Sequence, residues 1–100
     1  MSAKGYRLSP LAEADLEDIW LYTFKKWSLE QADNYHRDLV TMINDLAMGH
    51  KAGRVADVRD GYFKQIVGAH VIYFRRTDDG IDVIDVIRIL HGRMDISRHL

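Results

Sequence analysis

Cysteine is absent from this 100-residue chain, and proline occurs only once. Without cysteine the chain has no disulfide, no cysteine-bound zinc and no thiol nucleophile. No apolar run approaches the roughly 18 residues of a membrane span, and no basic-then-apolar leader opens the sequence. We therefore expect a cytoplasmic protein without membrane contact, folded as a single domain over residues 1–100.

Neither sign of charge is in excess, since 14 Lys and Arg balance 15 Asp and Glu and the formal net charge is −1. This excludes a strong overall attraction to nucleic acid. The five histidines lack the spacing of zinc or iron ligands, and no glycine-rich phosphate loop occurs, so we expect neither metal nor cofactor. Asp15 and Asp18 are predicted on an exposed helix face, where a catalytic role is not expected.

Two helices are predicted in the first half of the chain. Ser9-Pro10 is typical of a helix start and predicts a first helix over about residues 10–26. Ser28 restarts the chain, and apolar residues from Ala32 to Leu46 recur at helical spacing until Gly49. Because only a residue or two separates the helices, we expect an antiparallel helical hairpin.

Strands account for most of the remaining chain. They are predicted at Tyr6–Leu8 (an edge strand), Tyr62–Val67, His70–Arg76 and Ile81–Leu90. The turn Thr77–Gly80 would close the last hairpin, whereas residues 55–61 are ambiguous. Asp82 and Asp85 do not fit one alternation, which predicts a bulge in the last strand. The fold class is α+β, ordered β-α-α-β-β-β, with the helical hairpin on one face of a twisted antiparallel sheet.

The last strand leads the apolar run from Val83 to Leu90 directly into a polar, basic end. Such a strand is typically buried on both faces and gives a rigid base for the groups that follow it. Arginines near a histidine can hold a phosphodiester and move a proton, as RNA cleavage requires. The candidates are Arg54, Arg75, Arg88 and His91. Taken alone, these residues favour a solvated sheet face instead.

Short motifs in a fixed order resemble the ParE toxins of bacterial type II toxin–antitoxin systems, in the RelE/ParE superfamily. The resemblance spans nearly the whole chain. Its motifs are Tyr6-x-Leu8-Ser9-Pro10, Gly53-Arg54, Gly61-Tyr62, His70-Val-Ile-Tyr-Phe-Arg75 and, above all, Arg88-Ile-Leu-His91-x-Arg93-Met94-Asp95.

The resemblance implies an inhibitor of DNA gyrase that blocks replication and is not an enzyme. It implies that a surface near the C-terminus inhibits gyrase, formed or supported by Arg88, His91, Arg93, Met94 and Asp95. Part of this block has a structural alternative, in which Arg88 pairs with an acid and fixes the tail.

The resemblance also implies a ParD-like antitoxin that binds the toxin directly, in a heterotetramer or larger complex. Operon DNA is then bound by the antitoxin, so we expect no sequence-specific DNA binding by this chain. Candidate antitoxin contacts are Trp27, Tyr62 and Phe74, which the sequence does not separate from core residues.

Two other functions stay open. The RelE branch of the superfamily cleaves mRNA on the ribosome, which here would use His91 with Arg54, Arg75 and Arg88. Gly92 stands where some of those nucleases place a tyrosine, and no glutamate follows Glu30, so the nuclease reading is the less favoured one. The third function is a binding module that has lost toxicity.

Overall fold

The computed structural model describes residues 5–76, 84–94 and 96–100. Two helices and five strands lie in these ranges, followed by a short 3₁₀ turn at Ile96–Arg98. In chain order they are β1 (Tyr6–Leu8), α1 (Pro10–Lys26), α2 (Leu29–Ala47), β2 (Arg54–Val55), β3 (Tyr62–Val67), β4 (His70–Arg76) and β5 (Ile84–His91). Neither helix is long and apolar enough to cross a membrane, as far as the described residues go.

The five strands form one sheet in the order β1-β5-β4-β3-β2. The predicted fold class is confirmed, with β1 at an edge as expected. The sheet is mixed and not wholly antiparallel, because β1 runs parallel to β5 while the other neighbours are antiparallel. The two-residue strand β2 lies at the start of the ambiguous segment. The predicted turn Thr77–Gly80 and the start of the last strand lie outside the described residues.

Both helices begin where the sequence predicts. The Ser9 hydroxyl oxygen accepts the Ala12 N–H at 2.9 Å and donates to the Ile87 carbonyl at 2.7 Å. One side chain therefore caps α1 and ties its start to β5. The Ser28 hydroxyl accepts the Gln31 N–H at 3.0 Å and caps α2 in the same way.

The sheet is buried on both of its faces around β5. Beneath the helices lies the larger core, whose fully buried side chains include Phe74, Leu39, Ile43, Leu46, Ile72 and Val86. On the far face, Tyr73 and Leu90 are covered by Ile96 and Leu100 from the C-terminal segment. Each large apolar side chain buried in this way contributes about 1.5–3 kcal/mol.

The last strand carries the predicted bulge. Tyr73 of β4 pairs with Arg88, but the next residue, Phe74, pairs with Val86, which leaves Ile87 as the extra residue. A bulge bends the strand and changes which face the following side chains occupy. Ile87 packs on the far face, whereas Ile89 packs beneath the helices.

An ion pair joins α1 to β5 just beyond this bulge. Pairing between β1 and β5 ends at Leu8 and Val86, so the edge of β5 is open further along. The Asp15 carboxylate accepts the Ile89 N–H at 2.9 Å. Its two oxygens also accept bonds from Arg88 Nε at 2.8 Å and Nη2 at 2.9 Å.

Asp15 was therefore wrongly expected on an exposed helix face. Its side chain is 12% exposed and that of Arg88 is 15% exposed, because α1 crosses the open edge of β5 at this point. The hydrogen bonds that Arg88 donates to the Asp15 carboxylate raise the pKa of Arg88. Arg88 also donates to the His99 carbonyl at 3.4 Å, so it pairs with an acid and contacts the tail; that it fixes the tail stays a prediction.

We expect Asp15→Asn to lower the free energy of unfolding by about 3 kcal/mol, because it leaves a mostly buried guanidinium without its counter-charge. Urea denaturation followed by circular dichroism measures this loss. Asp18→Asn is the matched control, since Asp18 lies exposed on the same helix and should change stability by less than about 0.5 kcal/mol. Equal losses in the two variants would contradict the assigned role.

Candidate functional site

A groove of about 220 Å³ opens where the α1–α2 junction, the β3–β4 turn and the end of β5 meet. Aromatic and histidine side chains line most of it. We call it the histidine groove, and its main residues are Tyr22, Trp27, Gln31, Tyr35, His70 and His91. Because the groove lies at the ends of helices and strands, its side chains are partly exposed while their backbone belongs to regular secondary structure.

Tyr35 fixes the β3–β4 turn against α2. Its hydroxyl oxygen accepts the Ala69 N–H at 3.1 Å and lies 3.0 Å from the Val67 carbonyl oxygen and 2.7 Å from His70 Nδ1. Burial raises the pKa of Tyr35, so the hydroxyl stays neutral. A Cβ on Gly68 would lie 2.8 Å from the Tyr35 ring, and its φ is +57°, so the turn requires glycine here.

His70 and His91 are cross-strand neighbours at the ends of β4 and β5. Their ring centroids are 5.4 Å apart and the rings meet edge to face. Burial lowers the pKa of His70, and the neighbouring His91 lowers it further. His91 Nδ1 accepts the Arg93 N–H at 3.1 Å, so neutral His91 carries its proton on Nε2.

The four candidate nuclease residues do not converge. Arg54 is exposed on β2 at the sheet edge, and Arg75 lies over the Tyr62 ring at 5.8 Å. His91 pairs with His70, five residues along β4 from Arg75, which corresponds to ~17 Å. Arg88 is held by its counter-ion on α1. No acid–base pair beside a phosphate-binding arginine is assembled from this set.

The predicted gyrase-inhibition residues divide between a surface and its support. His91, Arg93 and Met94 are exposed, and they lie within four consecutive residues at the end of β5, with Gly92 between the first two. We call these three residues the C-terminal surface. Arg88 lies mostly buried beneath it, and Asp95 lies outside the described residues.

Two of the three candidate antitoxin contacts are core residues in the folded chain. Phe74 is 0% exposed and packs beneath the helices, so its assignment as a contact is wrong; Tyr62 is only 8% exposed. Trp27 is 63% exposed, because α1 ends one residue before it and Trp27 does not continue the buried face of the helix. Sequence reasoning missed Tyr22, which is exposed beside Trp27; its position outside the buried stripe of α1 was the available signal.

Three or more histidine, aspartate or glutamate side chains never gather into a potential metal site within the described part of the chain. What the histidine groove offers chemically is hydrogen bonding from two imidazoles beside exposed aromatic rings.

We expect the free energy of unfolding to fall between pH 7.5 and pH 5.5. The pKa of His70 is lower in the folded chain than in the unfolded chain. As the pH falls, the unfolded chain therefore binds a proton at His70 before the folded chain does. The folded state loses stability between the ordinary histidine pKa and the lowered folded pKa. Urea denaturation at both pH values measures the loss. In His70→Asn the amide can still bond Tyr35 but does not titrate. The free energy of unfolding of this variant should therefore fall less between pH 7.5 and pH 5.5 than that of the unmutated protein. His50→Asn is the exposed control, and an identical pH dependence in all three proteins would contradict the assignment.

Comparison with known proteins gives consistent matches over most of the chain. The family described as "ParE toxin of type II toxin-antitoxin system, parDE" matches residues 6–96. The protein named Toxin ParE1 from Mycobacterium tuberculosis (strain H37Rv) is 44% identical over 96 residues, covering 95% of this chain and 96% of the relative. Toxin ParE1 from Caulobacter vibrioides is 40% identical over 98 residues, covering 97% and 98%.

A solved structure supports the fold separately. A chain of the "Chromosomal ParDE TA system from P. aeruginosa" superposes with a TM-score of 0.73 at 21% identity, covering 86% of this chain and 92% of that chain. The match to the family over residues 6–96 and the two curated relatives show that this chain belongs to the ParE toxin family of type II toxin–antitoxin systems.

Proposed function

We propose that this protein inhibits DNA gyrase by binding it through the C-terminal surface, and that a ParD-like antitoxin neutralises it. The observation that carries the proposal is the way this surface is presented. His91, Arg93 and Met94 are exposed together, and Met94 keeps 39% of its surface exposed although it is apolar. An exposed methionine beside a cation is a suitable contact for another protein.

The support beneath the C-terminal surface is rigid. On one side Arg88 is fixed by Asp15, and on the other Ile96 and Leu100 pack on the far-face core. The Met94 N–H also donates to the His91 carbonyl at 2.9 Å, which closes a tight turn. A pre-formed surface loses little conformational entropy on binding, which favours affinity.

Direct inhibition is favoured over catalysis because the candidate nuclease residues lie apart. The proposed activity needs no cofactor and no metal, only contact with the enzyme and its cleaved DNA. Since gyrase acts on chromosomal DNA, the proposal places the protein in the cytoplasm.

The antitoxin is proposed from family membership and from the solved relative, whose title describes a ParDE toxin–antitoxin system. We propose a complex of at least two toxins with two antitoxins. Trp27 is the one earlier candidate contact that is exposed for such a partner.

We expect the unmutated protein to inhibit gyrase supercoiling and to trap linear, gyrase-linked DNA. Arg93→Glu combined with Met94→Asp should weaken this inhibition at least tenfold, because it reverses the charge and removes the apolar contact. Point changes are preferable to deletion of residues 94–100, since that deletion also removes Ile96 and Leu100 from the far-face core. Supercoiling and cleavage assays over a range of toxin concentrations measure the effect.

Lys51→Glu serves as the control for this charge reversal, because Lys51 is exposed in the loop after α2. It should inhibit gyrase as the unmutated protein does. Thermal unfolding verifies that all variants are folded. Full inhibition by the doubly substituted protein would remove the C-terminal surface from the mechanism, and gyrase unaffected by the unmutated protein would refute the proposed function.

Ribosome-bound mRNA should stay intact in the presence of the purified protein, because His91 lies far from Arg54 and Arg75 on the sheet. Primer extension on translated mRNA measures cleavage. Cleavage by the unmutated protein that disappears in His91→Ala would instead establish the endoribonuclease function.

A further inference from the structure

The histidine groove has hydrogen-bonding capacity that its own chain leaves unused. In both imidazoles Nδ1 is occupied, by the Tyr35 hydroxyl for His70 and by the Arg93 N–H for His91. The ring nitrogen left for an occupant is therefore Nε2 in each case. For His91 this atom carries a proton in the neutral ring as well as in the charged one, so it is a donor at every pH.

The walls of the groove suit an occupant that places an apolar side chain next to a group accepting a hydrogen bond from Nε2. Trp27 and Tyr22 are 63% and 61% exposed, which is far more than aromatic rings of this size usually show without a partner. The Tyr22 hydroxyl accepts a bond from Lys26 at 3.2 Å, which fixes the rim. The volume of about 220 Å³ admits one or two side chains and not a whole helix.

The charges around the groove favour an acidic occupant. Lys25 and Lys26 end α1, where cations also face the negative end of the helix dipole. Arg93 is exposed immediately after β5. Of these cations Lys26 is at the rim itself, because its ammonium donates to the Tyr22 hydroxyl.

We propose that the histidine groove receives a carboxylate-bearing, apolar segment of the antitoxin, whose carboxylate accepts bonds from His70 and His91 while its apolar neighbour packs on Trp27 and Tyr22. The inference rests on the proposed antitoxin partnership and names the site and chemistry of its contact. Because His91 also belongs to the C-terminal surface, an occupant of the groove covers part of the residues proposed to bind gyrase. Neutralisation is then steric occlusion of the same surface.

We expect the toxin to take up a proton when this contact with the antitoxin forms. The Tyr35 hydroxyl donates to the Val67 carbonyl, so neutral His70 carries its proton on Nδ1 and must gain a second proton on Nε2 before it can donate to a carboxylate. Forming the complex near pH 7 therefore binds a proton at His70. Asp15 of α1 acts on His70 electrostatically, and Tyr35 of α2 contacts it directly. One step further out, Asp38 acts on Tyr35, Lys26 contacts Tyr22, and Arg93 bonds His91 through its backbone N–H. Among these side chains His70 is the one whose uptake of a proton near neutral pH the contact requires.

Titration calorimetry of the full-length toxin with its operon-encoded antitoxin at pH 7 tests the proposal, using buffers of different ionisation enthalpy. We expect net proton uptake and an affinity that rises from pH 8 to pH 6.5. His91→Asn keeps an acceptor for the Arg93 N–H but loses the Nε2 donor, so it should bind about tenfold more weakly. His91→Gln, which restores a donor near the Nε2 position, should recover most of the affinity.

His50→Asn is the matched control, because His50 is exposed beyond the far end of α2, and that end lies about 18 Å along the helix from Tyr35 of the groove. It should bind with the affinity and proton uptake of the unmutated toxin. Zero uptake, proton release, or equal affinity in His91→Asn would overturn the proposal. Gyrase is absent from this measurement, so a failure here is distinguishable from a failure of gyrase inhibition.

Discussion

The contact between Asp15 and β5 decides how the two halves of this protein fit together. β1 covers only the first part of the β5 edge, and the strand continues past it with an open edge. One carboxylate bonds the Ile89 N–H there and holds the Arg88 guanidinium with two further bonds. Because Arg88 also reaches the His99 carbonyl, the same pair links α1, β5 and the C-terminal segment. Both ions lose their hydration in such a pair, so its net contribution to stability is small, whereas removing one partner alone leaves a buried charge and is costly.

The bulge in β5 explains why this one strand contributes side chains both to the core beneath the helices and to the core on the far face. The extra residue at Ile87 changes which face the following side chains occupy, so apolar residues meet the helices on one side and the C-terminal segment on the other. The strand then ends at His91, with both of its faces already covered. Its polar end is consequently held in place, and this rigidity is what a surface for binding other proteins requires.

Antitoxin and gyrase are proposed to compete for neighbouring atoms. The histidine groove and the C-terminal surface share His91, and the Gly92 N–H bonds the Ala69 carbonyl at 2.8 Å, which joins the two regions directly. An occupant of the groove therefore needs no conformational change to obstruct the surface. The proposed neutralisation therefore requires only that the two partners overlap in position, without an allosteric step.

Local sequence patterns were enough to predict the helices, their caps, the main strands and the bulge, because hydrophobic period and capping chemistry depend on neighbouring residues. They also determined the family, through the ordered motifs that end in Arg88-Ile-Leu-His91. Only the tertiary structure decided that Asp15 is buried, that Phe74 is core and that β1 lies parallel to β5. These depend on which elements meet across the fold, and residues 73 positions apart, such as Asp15 and Arg88, leave no periodic signal of their contact. The histidine groove belongs to the same class, because its lining comes from four separate elements.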